Sequence, residues 1–328
     1  MRTTVGSDNI TIDVHLTTQD PAIDRAEIRN GLLSSPRVLP TKYLYDDRGS
    51  ELFEQICELP EYYQTRTEFQ ILVTCADKII ARSDADELVE LGSGAATKTR
   101  VLLDAMDRAG QLNFYVPFDV SEGIVRRVSQ ELVEEYAALK VHGVVGDFLS
   151  HLEHIPDGGK RLVVFLGGTI GNLDDVAGAA FLSSVNKAME LGDHFLLSVQ
   201  FVTEVNRLEA AYNDSKGVTA KFNKNMISVM QEMVRADFSP DAFDHVARFN
   251  HVESRIEIFL RSNKRQAVIF QDLDLVLSLE NGEEIRTEIS TKYDRKRAEQ
   301  LLADANFELV EWYVDSDELL GLALAKKL

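Results

Sequence analysis

The chain has 328 residues, enough for one large or two medium domains with a substantial core. Its 54 acidic and 35 basic side chains give a formal net charge of −19. This charge argues against nucleic acid and anionic membranes as partners, because phosphate binding depends mainly on Lys and Arg. No apolar run approaches the ~18 residues of a membrane span, and the N-terminal segment lacks the layout of a signal peptide. Cys57 and Cys75 have no metal-ligand spacing and are expected to be buried thiols, so we predict a cytoplasmic protein without a metal.

Residues 1–20 are polar and without a clear pattern, and we expect a flexible arm there. Helices are predicted next over Ala22–Leu33, Ser50–Leu59 and Glu68–Ala81. Strands and helices then alternate, with strands at Leu88–Leu91, Phe114–Asp119, Val141–Val145, Arg161–Leu166 and His194–Val199 and helices at Lys98–Ala109, 124–139 and Val176–Glu190. This alternation predicts a parallel sheet with crossover helices, in which Pro117 suggests an edge position or an irregularity for its strand.

The alternation ends near residue 201. A long helix is predicted over Arg207–Met233, followed by strands at Val246–Asn250, Ser254–Arg261, Ala267–Ser278 and Glu283–Ile289, with a hairpin turn at Asn281-Gly282. Consecutive strands imply an antiparallel block, which we interpret as an insertion or a second lobe. The chain then returns to a helix at Lys296–Ala305 and closes with two strands at Glu308–Val314 and Leu319–Ala325.

The segment from Glu87 to Thr99 is the most informative part of the chain. An apolar strand leads through Glu90 into the turn Gly92-Ser93-Gly94 and then into a helix-forming stretch. In α/β sheets such a loop presents main-chain N–H groups and a helix N-terminus to a nucleotide-like ligand. Thr97 stands where a dinucleotide-binding protein has its third glycine, and a purely structural turn fits the spacing equally well.

Acidic residues at strand ends narrow the choice of ligand. Glu90, Asp119 and Asp147 each lie where a parallel strand should face the ligand crevice. Carboxylates there suit ribose hydroxyls, an amine and an adenine amino group better than the pyrophosphate of NAD, and Phe148 adds an aromatic face. The closing antiparallel strand pair is typical of methyltransferases. Each acid alone could simply cap a helix, but together they favour S-adenosylmethionine over NAD.

Several longer motifs carry a resemblance to a known family. They are Leu59–Glu68 (LPEYYQTRTE), Phe165–Asn172 (FLGGTIGN) and Gly217–Asn223 (GVTAKFN), with Tyr45-Asp46, Val89–Thr99 and Thr287–Ser290 in support. In these segments the chain resembles the histidine-specific N-alpha-methyltransferases of ergothioneine biosynthesis, from about residue 25 to the C-terminus.

The resemblance implies an α/β fold, a Rossmann-like class I methyltransferase core with a second α+β substrate-binding lobe. The core would comprise residues 67–200 and 293–328, and the lobe residues 21–66 and 201–292. The implied reaction is three successive methyl transfers from S-adenosylmethionine to the alpha-amine of L-histidine, giving hercynine. We further expect a monomer that uses a small-molecule amino-acid substrate.

The resemblance also implies roles for individual residues. The cofactor would be held by Glu90, Gly92, Ser93, Gly94, Lys98, Asp119, Asp147 and Phe148, with Lys98 near the methionyl carboxylate and Asp119 near the ribose. The acceptor would be bound by Tyr62, Gly167, Asn172, Tyr212, Thr219, Ile258, Glu288 and Ser290. Among these, Glu288 and Ser290 would hold the imidazole, and Tyr62, Asn172 and Tyr212 the carboxylate. Tyr45 and Tyr62 are the candidate catalytic residues near the reacting amine.

Two departures from the family pattern bear on the acceptor. Where the family often has an Asp-Leu-x-Lys-Asp-like stretch, this chain has Gln200–Glu204 in the sequence Val-Gln-Phe-Val-Thr-Glu from residue 199. Ile258 replaces a methionine that commonly packs against the imidazole. Both changes leave the acceptor preference and the number of methyl groups open.

Alternatives to the histidine hypothesis remain at this stage. The chain could methylate another amino acid such as tryptophan, although an unpaired Glu288 carboxylate would be costly in an indole pocket. It could also be a non-catalytic protein that binds S-adenosylmethionine. Glu288 itself could be an exposed strand acid, and Tyr62 and Tyr212 could be packing aromatics.

Overall fold

A computed structural model describes residues 2–4, 9–16 and 21–328. Its strands, in chain order, are β1 (Arg2–Thr4), β2 (Ile10–Val14), β3 (Arg37–Val38), β4 (Glu87–Leu91), β5 (Phe114–Asp119), β6 (Lys140–Val145), β7 (Arg161–Phe165), β8 (His194–Gln200), β9 (Phe243–Asn250), β10 (Arg255–Ser262), β11 (Gln266–Phe270), β12 (Leu275–Leu279), β13 (Glu284–Thr291), β14 (Phe307–Val314) and β15 (Leu320–Lys327). Its α-helices are α1 (Pro21–Leu33), α2 (Asp47–Cys57), α3 (Tyr63–Ser83), α4 (Thr99–Ala109), α5 (Glu122–Glu135), α6 (Asp175–Ala188), α7 (Val205–Ala211), α8 (Val218–Val234) and α9 (Arg295–Asp304).

The chain divides into two compact units. The first unit comprises Met1–Thr17, Gln64–Phe201 and Tyr293–Leu328, and the second comprises Thr18–Tyr63 and Val202–Lys292. The predicted assignment of one part to the cofactor and the other to the acceptor remains a prediction. Among the described residues, no helix is long and apolar enough to cross a membrane.

The first unit is built on a nine-stranded sheet in the order β1-β2-β6-β5-β4-β7-β8-β15-β14. Strands β2, β6, β5, β4, β7 and β8 are parallel, whereas β15 runs antiparallel to β8, and β14 antiparallel to β15. After β2, the chain enters the middle of the sheet at β4, continues outward through β5 to β6 and then returns to place β7 on the other side of β4. In such sheets ligands bind outside the carboxyl ends of the strands, where this reversal occurs.

Central strands of this sheet are apolar and buried throughout. Every residue of β4, β7 and β8 is buried, because helices cover both faces of a parallel sheet. The core around them includes Val89, Val116, Val163 and Leu197. Helix α4 ends where it was expected to, at Gly110, which takes a left-handed φ of 69° as the C-terminal cap.

Three details of the first unit differ from the sequence-based expectation. Residues 10–14, expected in a flexible arm, form β2 and pair in parallel with β6, while residues 1, 5–8 and 17–20 of that arm lie outside the described residues. The edge position suggested by Pro117 is wrong, since β5 lies between β4 and β6. The suggested irregularity is present, because pairing with β6 is recorded only on either side of Val116-Pro117. Cys75, expected to be buried, is partly exposed, as is Cys57 in the second unit.

The second unit has a four-stranded sheet in the order β3-β13-β10-β9 and a separate hairpin, β11-β12. The antiparallel block after residue 201 was predicted, but two of its elements were merged. The single helix expected over Arg207–Met233 is two helices, because the chain turns at 212–217 and Asp214 caps α8 with its carboxylate. The strand expected over Ala267–Ser278 is the hairpin β11-β12, with a short 3-10 helix between its strands.

A β-bulge in β13 determines which side chains of that strand share a face with Ile256, Ile258 and Leu260 of β10. Arg286 is opposite Phe259 and Glu288 is opposite Ile258, so Thr287 is an extra residue without a ladder partner. Before the bulge, Ile285 shares a face with Leu260. After it, the residues on that same face are Glu288 and Ser290, so the bulge moves these polar side chains to the side of the buried residues Ile256, Ile258 and Leu260.

Candidate active site

The carboxyl ends of β4, β5, β6 and β7 carry the residues predicted to bind the cofactor; we call this region the loop edge. Its glycine loop is held by main-chain hydrogen bonds, since the N–H groups of Gly92 and Ser93 both donate to the carbonyl of Phe118, at 2.8 and 3.2 Å. Gly92 and Gly94 have φ values of 74° and 47°, a conformation that favours glycine. A side chain at Gly94 would meet no atom within 4 Å, so the loop faces open space there.

Glu90 is a buried acid at the end of β4, with 3% of its surface exposed. Tyr115 donates a hydrogen bond of 2.6 Å to one carboxylate oxygen, and Thr99 donates to the other. Burial raises the pKa of Glu90 to about 7, although both hydrogen bonds favour the charged form. Glu90 therefore ties β4 to β5 and to the first turn of α4.

Asp119, at the end of β5, organises the same loop. Its Oδ2 accepts a 2.9 Å hydrogen bond from the N–H of Gly94, and its Oδ1 accepts one of 3.0 Å from the N–H of Ser121. Burial raises its pKa, while the main-chain donors lower it. Asp119 is thus fixed in place by the protein's main chain, beside the second glycine of the loop.

Asp147 and Phe148 follow β6. The Asp147 carboxylate accepts a 2.9 Å hydrogen bond from the N–H of Leu149, and the Asp147 N–H donates to Nδ1 of His151. The ring of Phe148 packs edge-on against Phe165 and Phe181, at centroid distances of 5.3 and 5.6 Å. A side chain at Gly92 would come within 3.7 Å of the Phe148 ring, so the ring lies beside the glycine loop.

Lys98 and Gly167 share a partner that the sequence did not reveal. Glu68 of α3 is fully buried; one carboxylate oxygen forms an ion pair with Lys98, and the other accepts a 2.7 Å hydrogen bond from the N–H of Gly167. Gly167 follows β7 with φ 76°, so its predicted backbone role requires glycine for conformation as well as for space. No local signal marks Glu68, because it lies in an amphipathic helix 30 residues before Lys98.

Two further residues of the first unit bear on the predicted acceptor site. Asn172 ends the short 3-10 helix Thr169–Asn172 that follows Gly168. Gln200, from the stretch that departs from the family pattern, is buried at the end of β8 and donates a 3.3 Å hydrogen bond to the carbonyl of Gly167. The departure therefore lies directly against one of the predicted acceptor residues.

The second unit holds a small cavity, which we call the aromatic cavity. It is lined by Phe53, Ile56, Tyr62, Ala211, Tyr212, Thr219, Phe222 and Glu288. Four of the predicted acceptor residues thus lie together: Tyr62, Tyr212, Thr219 and Glu288. Tyr62 and Tyr212 are 7% and 5% exposed, with their rings edge-on at 6.0 Å.

Tyr45, the other predicted catalytic residue, packs beside this cavity. Its ring contacts Phe222 at 5.4 Å and Phe53 at 5.7 Å, both edge-on. Burial, and then the charge of Glu288, raise its pKa well above the ordinary value for a tyrosine. Burial does the same to the pKa of Tyr62. Both tyrosines therefore remain neutral hydroxyl groups at physiological pH.

Glu288, Ile258 and Ser290 are brought together by the sheet. Glu288 is directly opposite Ile258 in the ladder of β13 and β10, and Ser290 lies two residues further along the same face. The alternative of an exposed strand acid is wrong, since only 8% of Glu288 is exposed. The bulge residue Thr287 is fixed by a 2.6 Å hydrogen bond to Asn223 of α8, the helix that also supplies Thr219 to the cavity.

Tyr212 and Ser290 meet a residue that sequence reasoning missed. Their hydroxyl oxygens are 2.8 Å apart, and Nζ of Lys292 donates to both, at 2.8 Å to Tyr212 and 2.6 Å to Ser290. Lys292 is 1% exposed, and burial lowers its pKa to about 7. Glu288, Ser290 and Lys292 follow one another at intervals of two residues, a spacing that places side chains on one face of a strand. This spacing was the signal that could have identified Lys292.

The chemistry of the loop edge fits S-adenosylmethionine. Fixed carboxylates at neighbouring strand ends can accept from ribose hydroxyls, an aromatic ring stands beside a glycine loop that faces open space, and Lys98 offers a cation near Gly167. Together with the strand order and the antiparallel β15, this defines a Rossmann-like core of the class I methyltransferases.

Comparisons with known proteins identify the family. The family model described as histidine-specific methyltransferase, SAM-dependent, matches residues 24–327. The histidine N-alpha-methyltransferase of Mycolicibacterium smegmatis is 46% identical, covering 92% of this chain and 94% of that protein. That of Mycobacterium tuberculosis is 44% identical with the same coverage. Ergothioneine biosynthesis protein 1 of Neurospora crassa is 29% identical over 97% of this chain and 36% of its own length. The chain therefore belongs to the family of SAM-dependent, histidine-specific methyltransferases.

Proposed function

We propose that this protein transfers methyl groups from S-adenosylmethionine to the alpha-amino group of L-histidine, three in succession, giving hercynine. Membership of the family supports the reaction class. The observation that carries the choice of acceptor is the buried Glu288 carboxylate in a cavity otherwise lined mainly by aromatic and apolar side chains. An imidazole N–H can donate to this buried carboxylate, whereas an aliphatic side chain cannot.

The acceptor is recognised at its two ends in this proposal. Glu288 and Ser290 hold the imidazole, and Ile258, opposite Glu288, packs against it. Tyr62 and Tyr212 donate to the carboxylate, and Thr219 completes the wall of the cavity. The carboxylate role that the family resemblance implies for Asn172 remains a prediction.

Proton movement at the amine is assigned to hydroxyl groups. When bound, S-adenosylmethionine supplies an electrophilic methyl group on a positively charged sulfur. An ammonium ion near that charge loses its proton more readily, because a like charge lowers the ammonium pKa. Tyr45 and Tyr62, held neutral by burial, then orient the amine and pass its proton towards water instead of acting as anionic bases.

Repeated methylation creates a permanent cation, which aromatic faces stabilise. Tyr45, Phe53 and Phe222 form a group with ring centroids 5.4–6.0 Å apart. We assign this aromatic group to the growing methylammonium. The cofactor roles proposed for the loop edge are the ribose for Asp119, the adenine for Asp147 and Phe148, and the methionyl carboxylate for Lys98.

Partners and location follow from the sequence alone. We expect a monomer with a small-molecule substrate, without a nucleic-acid partner, in the cytoplasm. The expectation about nucleic acid rests on the net charge of −19, and the expected location on the cysteine content.

A product assay tests the proposal. Purified protein is incubated with S-adenosylmethionine and either histidine or tryptophan, and the product mass is followed over time. We expect successive gains of one, two and three methyl groups on histidine and none on tryptophan. Methylation of tryptophan with histidine untouched would overturn the choice of acceptor. Cofactor binding by calorimetry without product from any amino acid would revive the non-catalytic alternative.

A further inference from the structure

Lys292 is a buried cation to which the proposed mechanism gives no task. It follows β13 directly, and its main-chain N–H donates to the carbonyl of Ser254 at 2.7 Å, which fixes the backbone. Its side chain is among the largest fully buried ones in the described residues. Burial of an ammonium is costly, so a lysine in such a place needs strong partners.

The partners of Lys292 are two hydroxyl groups of the predicted acceptor site. Nζ donates to Ser290 Oγ at 2.6 Å and to the Tyr212 hydroxyl at 2.8 Å, and it lies 4.8 Å from the centre of the Tyr212 ring. The two hydroxyl oxygens are themselves 2.8 Å apart. The three polar atoms therefore form a closed triangle.

The hydrogen bonds of this triangle determine which of its atoms donate and which accept. Nζ of Lys292 donates to both hydroxyl oxygens, which therefore act as acceptors towards it. Each hydroxyl has one proton, and the contact between them uses one of the two. Either hydroxyl can be the donor in that contact; when Ser290 donates, the Tyr212 proton is directed away from Ser290, and Tyr212 lines the aromatic cavity.

We propose that Lys292 is a positioning residue for the carboxylate of the acceptor: it holds Ser290 and Tyr212 so that Tyr212 presents its hydroxyl proton to the carboxylate. This inference rests on the proposed function. In its protonated form Lys292 strengthens that hydrogen bond, because a donor polarised by a cation binds an anion more tightly. Amino-acid acceptors, which carry a carboxylate, would then be favoured over the corresponding simple amines.

The tyrosine itself is fixed from the other side. The carbonyl of Tyr212 is 2.9 Å from Nε2 of His245, whose Nδ1 lies 3.0 Å from the side-chain amide nitrogen of Asn223. Burial lowers the pKa of His245, so the ring is neutral, accepts at Nδ1 and donates from Nε2. Main chain and hydroxyl of Tyr212 are thus held by separate contacts, and removing Lys292 alone leaves the backbone in place.

The test compares Lys292→Met with Tyr212→Phe and with the double variant. Histidine affinity is measured by calorimetry in the presence of S-adenosylhomocysteine, and kcat and KM in the mass assay. We expect Lys292→Met to raise the histidine Kd and KM about 30-fold, as for one hydrogen bond to a charged group, with a smaller change in kcat. The double variant should be no worse than Tyr212→Phe, because both changes remove one interaction.

Stability separates positioning from a merely structural role. Methionine has a similar length and no charge to bury, so the thermal midpoint of Lys292→Met should not fall. Lys264→Met removes an exposed lysine of the second unit and is the matched control for lost charge; it should leave histidine binding unchanged. Lys292→Gln keeps a donor and should lose less affinity than Lys292→Met.

Several results would overturn the inference. They are unchanged histidine affinity in Lys292→Met, losses that multiply in the double variant, and failure of both Lys292→Met and Lys292→Gln to fold. If the unmodified protein does not methylate histidine, the proposed function fails. If it does and Lys292→Met behaves like it, only the role of Lys292 fails.

Discussion

The loop edge of the first unit and the aromatic cavity of the second are built in different ways. At the loop edge, main-chain N–H groups hold Asp119 and Asp147, whereas Glu90 accepts from the side chains of Tyr115 and Thr99. In the cavity, side chains hold side chains, as in the triangle of Tyr212, Ser290 and Lys292. Main-chain groups of a loop can thus contribute to binding a cofactor that many enzymes share. The choice of acceptor, in contrast, depends on a few side chains that substitutions can replace.

The largest effect expected from this difference is in the cavity. Glu288→Ala removes the carboxylate that is assigned to the imidazole, and kcat/KM for histidine should fall about 1,000-fold, within the range for a lost buried charged partner. Affinity for S-adenosylhomocysteine, measured by calorimetry, should stay the same. Glu232→Ala, at an exposed position of α8, is the control. Unchanged histidine kinetics in Glu288→Ala would remove Glu288 from the acceptor site.

The loop edge should respond to pH through Glu90. Its pKa is about 7 in the folded protein against an ordinary value of 4.5, so between these values the folded chain holds a proton that the unfolded chain has released. The free energy of unfolding should therefore fall as pH rises from 5 to 8, relative to Glu90→Gln, by on the order of 3 kcal/mol.

Urea unfolding at both pH values measures this difference. The single tryptophan, Trp312, lies in β14 of the first unit and gives a fluorescence signal from that unit. If the free energy of unfolding changed equally with pH in the unmodified protein and in Glu90→Gln, the pKa of Glu90 would not be raised by folding.

A smaller effect is expected at Asp119. Asp119→Asn keeps the size of the side chain but removes the charge that accepts from Gly94 and Ser121, and the Kd for S-adenosylhomocysteine should rise about 30-fold. We expect Glu288→Ala to weaken only the use of histidine and Asp119→Asn to weaken only the binding of S-adenosylhomocysteine. Loss of histidine binding in Asp119→Asn, with cofactor binding intact, would contradict the assignment of the loop edge to the cofactor and of the aromatic cavity to the acceptor.

The smallest effect is expected at Ile258. Ile258→Met restores the residue that the family commonly has at this position and changes little volume, so the cost should stay below about 1.5 kcal/mol. The histidine KM should accordingly change by less than about tenfold. A larger change, measured in the mass assay, would mean that the shape of the cavity at Ile258 also controls the choice of acceptor.

Local patterns predicted most of the first unit. Its strands and helices carry their own periodicity, and the glycine loop is contiguous in sequence, so both can be recognised from the order of residues alone. The missed strand β2 had a signal as well, because Ile10, Ile12 and Val14 alternate with polar residues. The break between α7 and α8 was marked by Asp214 and by Gly217, which takes a φ of 69°.

Partners from distant segments could not be predicted in this way. Glu68 accepts a hydrogen bond from Gly167, 99 positions further along the chain, and no local sequence pattern around Glu68 indicates that contact. Residues of the aromatic cavity come from α2, α8 and β13 and the segments beside them, so only the family resemblance grouped them. Lys292 was missed because a lysine after a strand is ordinarily exposed.

The bulge at Thr287 has a consequence for how such a site can arise. Paired without it, a strand of this composition would place Thr287 and Ile289 opposite Ile258 and Ile256 and turn Glu288 and Ser290 to the opposite face. One unpaired residue therefore replaces Thr287 and Ile289 by Glu288 and Ser290 on this face of the strand, while the composition of the strand stays the same. Acceptor recognition in this fold is thus open to change by insertion and deletion, and a family alignment that scores only substitutions at these positions would not register it.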